Sequence, residues 1–311
     1  MACRPGLAEM TRTLTQDSAL GTQDLRIAVD GLAYRVERAG AGAGPTLVLL
    51  HGFTGSTATW APFLPAFARE FDTVAIDLPG HGATDAPGDP ARYRLERTVA
   101  DLAAILEWLG IARAALLGYS LGGRVALGVA ALAPSRVAAL VLEGASPGIA
   151  DPAERAARVR SDEALAAQIE RDGVAAFVDE WEGLPLFASQ GRLPAEIRAA
   201  HRRQRLANSP LGLANSLRGI GQGAQPPLHD RLGEIAAPAL LLAGAEDSKF
   251  RRLAAEMAAA MPAAEVTVIE GAGHAAHLEQ PRAFEEEMLV FLRRLDPPAS
   301  APATSRRTGR E

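Results

Sequence analysis

The chain has one cysteine, Cys3, which rules out an intramolecular disulfide and a metal site built from cysteines. Lysine is equally scarce: Lys249 is the only one, so the rest of the 32 cationic side chains are arginine. Positive charge is not in excess. The formal net charge is −5, which argues against a basic face for nucleic acid. Long apolar runs are missing as well. No segment approaches the roughly 20 apolar residues of a membrane span, and Met1 to Gln23 lacks the apolar core of a secretion signal. No metal-ligand spacing occurs, so no metal or other cofactor is expected. The expectation is a soluble cytoplasmic protein, monomer or small homo-oligomer, with neither nucleic acid nor membrane as partner.

What is present suffices for a large core. Of 311 residues, 48% are hydrophobic, an ordinary globular proportion. Leu25 to Ala39 alternates apolar and polar around Asp30-Gly31 and predicts a β-hairpin. Thr46–Leu50, Thr73–Ile76, Ala114–Leu117, Val137–Leu142, Ala239–Leu242 and Glu265–Ile269 are short apolar strands. Between them lie helical periodicities at Leu95–Leu109, Leu121–Leu132, Phe250–Met261 and Pro281–Leu295. Such alternation implies an α/β fold with a mostly parallel sheet flanked by helices. From Ser146 to about Pro227 the strand pattern stops. That stretch is charged and helical in period, with Val159, Leu165, Ile169, Phe177 and Trp181 expected to face inward. It is expected to form several short helices and to act as an inserted lid over the strand ends, where ligands of open α/β sheets bind. The division is therefore a core at 24–146 and 225–296, a helical lid at 147–224, and disordered extensions at 1–23 and 297–311.

Gly118-Tyr119-Ser120-Leu121-Gly122 joins a strand to a helix. A serine between glycines on that kind of turn is a nucleophile elbow of the α/β-hydrolase fold. The serine then needs a base, and the base needs an acid to orient it. His274, in a glycine-rich turn after the last strand, and Asp247, after the strand before it, follow in the order Ser, Asp, His. The oxyanion hole is expected at the backbone N–H groups of Leu121 and Phe53. His277 and Glu143 are weighed as rival base and acid and assigned structural roles. Glu246 is expected to point away, and His201 and His229 to lie at the surface.

The details resemble one family, the 2-succinyl-6-hydroxy-2,4-cyclohexadiene-1-carboxylate synthases of menaquinone biosynthesis. The resemblance runs from about Leu47 to Leu292. Its pieces include Leu50-His51-Gly52-Phe53-Thr54-Gly55-Ser56, Gly118 to Arg124, Glu143 to Gly148, Trp181-Glu182, Pro185 to Gln190, Gln204 to Asn208 and Asp247-Ser248-Lys249-Phe250. It implies elimination of pyruvate from a polycarboxylate, 2-succinyl-5-enolpyruvyl-6-hydroxy-3-cyclohexene-1-carboxylate, with His274 driving deprotonation beside Ser120. It also implies substrate contacts from Tyr119, Arg124, Arg158, Trp181 and Arg205, since guanidinium groups pair with carboxylates through two parallel hydrogen bonds. The alternatives are a serine hydrolase acting on esters or carbon–carbon bonds, which has no need of three cations, and a non-enzymatic ligand-binding member of the fold.

Overall fold

The structure, a computed structural model, describes residues 15–17, 21–40 and 44–295. They form a nine-stranded sheet: β1 (Thr15–Asp17), β2 (Thr22–Val29), β3 (Leu32–Ala39), β4 (Thr46–Leu50), β5 (Asp72–Ile76), β6 (Ala114–Tyr119), β7 (Val137–Glu143), β8 (Ala239–Gly244) and β9 (Ala264–Ile269). The spatial order is β1-β2-β3-β5-β4-β6-β7-β8-β9. Strands β1, β2 and β3 pair antiparallel and β3 meets β5 antiparallel, while β5 through β9 pair parallel. The central parallel strands are buried on both faces, which is why they are continuous apolar runs rather than alternating ones. Pairing begins ahead of Asp24, where the sequence pattern placed the start of the core: Thr15 aligns with Asp24. Residues 1–14 and 18–20 of the proposed N-terminal extension, and the tail from 297, lie outside the described residues.

The helices are α1 (Leu64–Phe67), α2 (Leu95–Trp108), α3 (Leu121–Leu132), α4 (Pro152–Glu182), α5 (Ala195–Leu206), α6 (Pro210–Ile220), α7 (Ser248–Ala260), α8 (Ala276–Glu279) and α9 (Pro281–Leu295). One apolar core, with Val48, Leu116, Leu140 and Leu241 from the sheet, packs against α2, α3 and α7. A second, on the opposite face, joins Leu49, Leu117 and Val141 to Trp60, Phe67, Phe284 and Met288. Among the described residues no helix is long and apolar enough to cross a membrane.

The insertion carries its own small core. Ile169, Val174, Phe177 and Val178 of α4 pack on Leu213, Ala214 and Leu217 of α6, with Leu165 and Trp181 partly buried beside them. Val159 departs from expectation and is 45% exposed, because the first turns of α4 extend past the end of α6. As its glycines and prolines imply, the insertion divides into several helices, and its first element, α4, is two helices that meet at a kink. Asp151 caps it by accepting from Glu154 N (2.7 Å), Pro152 opens it, and the non-helical Gly173 (φ 82°, ψ 170°) breaks it. Leu228 N donates to Pro147 O (2.7 Å), closing the base where the chain leaves and rejoins the sheet. Polar side chains fasten the insertion to the core: Asn208 Nδ2 donates to Thr54 O (2.8 Å) and Asn215 Nδ2 to Pro87 O (3.0 Å).

Candidate active site

The chain runs from β4 to β5 on one side, then returns to lay β6 on the other side of β4. This reversal opens a crevice at the carboxyl ends of β4 and β6, where ligands bind in open α/β sheets. Ser120 stands at that point, between β6 and α3, with φ 50° and ψ −103°. A non-glycine residue there stores of order 1–3 kcal/mol of strain. The flanking glycines make the turn possible: a Cβ on Gly122 would run into the Leu50 carbonyl of the neighbouring strand end. Ser120 N is anchored by Glu143 O (2.8 Å).

His274 Nε2 lies 3.1 Å from Ser120 Oγ, and His274 Nδ1 lies 2.7 Å from Asp247 Oδ2. Both His274 and Asp247 are buried. The other carboxylate oxygen of Asp247 accepts from Phe250 N (3.1 Å), capping α7, so the acid is fixed by the helix it begins. One residue not foreseen from sequence holds the histidine loop. Glu279 Oε2 accepts from Gly273 N (2.9 Å) and Oε1 from Ala275 N (3.3 Å), bracketing His274 on both sides. The signal was there, since Glu279 lies one helical turn beyond the glycine-rich turn, but its direction was not.

The two amides expected to bind an oxyanion sit at the same crevice. Leu121 is the first residue of α3, and first-turn N–H groups have no partner within a helix. Phe53 follows β4 in a tight turn, with Gly55 N bonded to Gly52 O (3.0 Å) and Thr54 at φ 67°. His51 pins that loop: its Nδ1 reaches Gly52 O (2.8 Å), and Nε2 accepts from Leu78 N (3.0 Å). That pattern needs a neutral ring, and burial lowers its pKa to about 4.

The rival residues resolve into other contacts. Glu143 is fully buried and accepts from both His277 N (3.0 Å) and His277 Nδ1 (2.9 Å). Glu246 turns outward to Arg192 (2.7 Å). His201 overturns expectation: rather than lying at the surface, it is half-buried on the inner face of α5. It lines a narrow cleft with Gly52, Phe53, Tyr119, Arg205 and His277. Burial, then the Arg205 charge, lowers its pKa to about 3, so it is neutral at physiological pH. The reason is helical spacing, which sets His201 one turn from the buried Arg205. His229 is likewise half-buried.

The side chains expected to meet substrate are all held by neighbours. Arg124, one turn into α3 and buried, donates through Nη1 to Ile220 O (2.8 Å) and to Gln225 Oε1 (2.6 Å). Burial, with the nearby Arg158 charge, lowers its pKa to about 10, which leaves it cationic at neutral pH. Arg158 is partly exposed and bonds Asp162 Oδ1 (2.7 Å) and Gln222 Oε1 (3.0 Å). Arg205 bonds Glu182 Oε1 (2.9 Å) and lies 5.3 Å over the Phe187 ring. Trp181 packs edge-on to Phe53 at 5.4 Å, and the Tyr119 and His274 ring centres are also 5.4 Å apart. Burial, then Glu143, pushes the Tyr119 phenol well above its ordinary pKa. Gln225 and Gln222, which orient Arg124 and Arg158, had no recognisable signal in the sequence.

A strained serine at a switch point, joined through imidazole to a carboxylate at the next strand ends, is the architecture of the α/β-hydrolases. The family model for the alpha/beta hydrolase fold matches residues 45–281. A candidate 2-succinyl-6-hydroxy-2,4-cyclohexadiene-1-carboxylate synthase of Bacillus subtilis (strain 168) is 44% identical over 88% of this chain and 99% of its own length. The synthase of Serratia proteamaculans (strain 568) is 35% identical over 84% of this chain and 98% of its own. Within that fold the chain belongs to the 2-succinyl-6-hydroxy-2,4-cyclohexadiene-1-carboxylate synthase family. The structure of MenH from S. aureus superposes with a TM-score of 0.81 at 37% identity, covering 84% of this chain and 98% of that one.

Proposed function

We propose that the chain eliminates pyruvate from 2-succinyl-5-enolpyruvyl-6-hydroxy-3-cyclohexene-1-carboxylate, giving 2-succinyl-6-hydroxy-2,4-cyclohexadiene-1-carboxylate in menaquinone biosynthesis. The observation that carries this reading is the company the serine keeps. The Ser120–His274–Asp247 line of contacts sits beside buried guanidinium groups, which a polycarboxylate requires and a simple ester does not.

In this mechanism His274 Nε2, directly or through Ser120 Oγ, takes a proton from a ring carbon. Asp247 accepts the hydrogen bond from Nδ1–H, which fixes the tautomer and stabilises the imidazolium as it forms. The C–H electron pair forms a new ring double bond, the existing one shifts to complete the diene, and the C–O bond to the enolpyruvyl group breaks. The departing enolate takes up a proton and becomes pyruvate. The Leu121 and Phe53 amides donate to the negative oxygen that develops. Such donors contribute roughly 3–4 kcal/mol each in a site closed to water. Arg124, Arg158 and Arg205 bind the substrate carboxylates, and Tyr119 and Trp181 pack against the ring.

The test supplies freshly generated substrate and follows pyruvate and diene together against spontaneous decay. Stoichiometric, enzyme-dependent appearance of both, lost in Ser120→Ala, is expected. No acceleration, with turnover of simple esters instead, would make the chain a hydrolase.

A further inference from the structure

The insertion is attached to the core in two different ways. Beside β4 and β5 the fastenings are buried amides. Asn208, which donates to Thr54 O, also accepts from Gly82 N (3.3 Å), and Asn215 donates to the carbonyls of Pro87 and Gly88 (3.0 and 3.1 Å). Both asparagines are buried. Beside β8 and β9 the fastening is a single guanidinium. Arg192, at the end of the 3-10 turns at Pro185–Arg192, donates through Nη1 to Glu246 Oε2 (3.0 Å). Its Nη2 donates to Glu246 Oε1 (2.7 Å) and to Gly271 O (3.4 Å).

The positions of those acceptors give the contact its meaning. Glu246 directly precedes Asp247, and Gly271 lies three residues before His274. One side chain of the insertion therefore touches both the loop of the acid and the loop of the base. The same turns rest on the base loop. The Phe187 and His274 ring centres are 6.3 Å apart, and a Cβ on Gly273 would run into Ser189 Oγ. Among the described residues, Arg192–Glu246 is the one ion pair between insertion and core. The other ion pairs of the insertion close within it. The Arg192 and Glu246 side chains are 59% and 45% exposed. An exposed pair is weak and screened by salt, whereas a buried amide is costly to strip of its partner. The attachment yields first on the Arg192 side.

We infer that Arg192 is a positioning residue: it clasps the lid onto the loops of Asp247 and His274, and the lid opens there while staying hinged at Asn208 and Asn215. Closure sets Phe187 beside the His274 ring and braces both loops; release frees them together. The catalytic meaning of the two loops rests on the mechanism proposed above, the clasp on the contacts alone.

Backbone hydrogen exchange, followed by mass spectrometry without substrate, reads the opening of residues 185–193 directly. Arg192→Ala and Glu246→Gln are each expected to speed exchange there by about two- to fivefold, the scale of an exposed bidentate pair, and to leave 204–216 unchanged. Both positions are exposed, so the variants are expected to fold. The double variant Arg192→Glu with Glu246→Arg is expected to restore most of the protection. Raising salt from about 0.05 to about 0.5 M should speed exchange at 185–193 in the unaltered chain and not in Arg192→Ala. In turnover, Arg192→Ala should lower kcat/KM by the same factor, recovered in the exchanged pair. Exchange that Arg192→Ala leaves unchanged, or that rises equally throughout the lid, overturns the inference. So does faster exchange with kcat/KM unaltered. Failure of the pyruvate elimination is a separate outcome, because exchange needs no turnover and a chain that hydrolysed esters would show the same kcat/KM ranking on them.

Discussion

Two imidazole–carboxylate pairs are buried side by side, their histidines three residues apart. In one, His274 meets Asp247 at 2.7 Å; in the other, His277 meets Glu143 at 2.9 Å. Partner distance and burial scarcely separate them. Their surroundings do. The far nitrogen of His274 is 3.1 Å from Ser120 Oγ, whereas the His277 ring is enclosed by Tyr119 (4.6 Å), Trp60 (5.4 Å) and Phe284 (5.9 Å). Glu143 also accepts the backbone N–H of His277, so the second pair ties α8 to the end of β7. A buried imidazole–carboxylate contact alone does not make a relay. The one that ends on a hydroxyl in the crevice is the relay of the proposed mechanism, and the one that ends among aromatic rings holds the elbow's neighbourhood in place.

The largest effects should break that symmetry. His274→Ala is expected to lower turnover by ~10³-fold or more, since residues acting as one unit each carry most of its effect. Conversely, Glu143→Gln should leave turnover within roughly tenfold, yet destabilise the fold by about 1–3 kcal/mol in urea unfolding, the cost of a buried acceptor poorly replaced. An equal kinetic loss in both would erase the distinction.

Arg124→Ala should cost about 100-fold in kcat/KM toward the polycarboxylate, as expected for a lost buried pairing with carboxylate. Arg124→Lys should recover little, because one ammonium cannot replace a fork. Unchanged esterase activity with no loss on the polycarboxylate would favour the hydrolase alternative.

Gly144 separates the pairs more finely. It follows Glu143 directly and adopts φ 55°, and a Cβ there would sit 2.8 Å from His274 Cε1. Gly144→Ala should therefore displace the His274 ring while sparing the Glu143–His277 bonds. Turnover should fall roughly 10- to 100-fold, as small misplacements of a catalytic group do, with a stability cost near 1 kcal/mol. A crystal structure with His274 unmoved, or turnover equal to wild type, would contradict it.

Acid sharpens the contrast with imidazoles that have no carboxylate hydrogen bond. Burial lowers His51 to about 4 and His81 to about 3, so both are neutral when folded and take up protons on unfolding. Their unfolded value is near 6.5. The unfolded state thus binds more protons between about pH 6.5 and 4, and stability falls as pH drops through that window, by up to ~1.4 kcal/mol per pH unit for each ring. Urea midpoints at pH 7, 6 and 5 should fall steadily; a flat profile would mean that these rings are not held neutral.

Much of this was legible from local pattern. The helices at Leu121–Leu132 and Pro281–Leu295 match their periodicity residue for residue, because apolar spacing and flanking proline or glycine are properties of the segment itself. The positions of Ser120, Asp247 and His274 followed from strand ends, which short apolar runs mark well. What escaped depends on distant pairing. Glu143 and His277 are 134 residues apart, and no periodicity announces that the sheet brings them into contact. His201 looked like surface sequence because its helix is highly charged, yet it lies on the inward stripe with Arg205. Val159 failed for the opposite reason: an apolar residue at helical spacing needs a partner helix, and α6 does not extend that far.

The most direct test of the distinction between the two pairs sets Asp247→Asn against Glu143→Gln in one pyruvate-release assay, at matched substrate and with folding checked by urea midpoint. The expected result is a loss of ~10²–10⁴-fold in kcat for Asp247→Asn, as when the acid that sets an imidazole's tautomer is removed, and a small loss for Glu143→Gln. The reverse ranking would contradict the account and transfer the relay to His277 and Glu143.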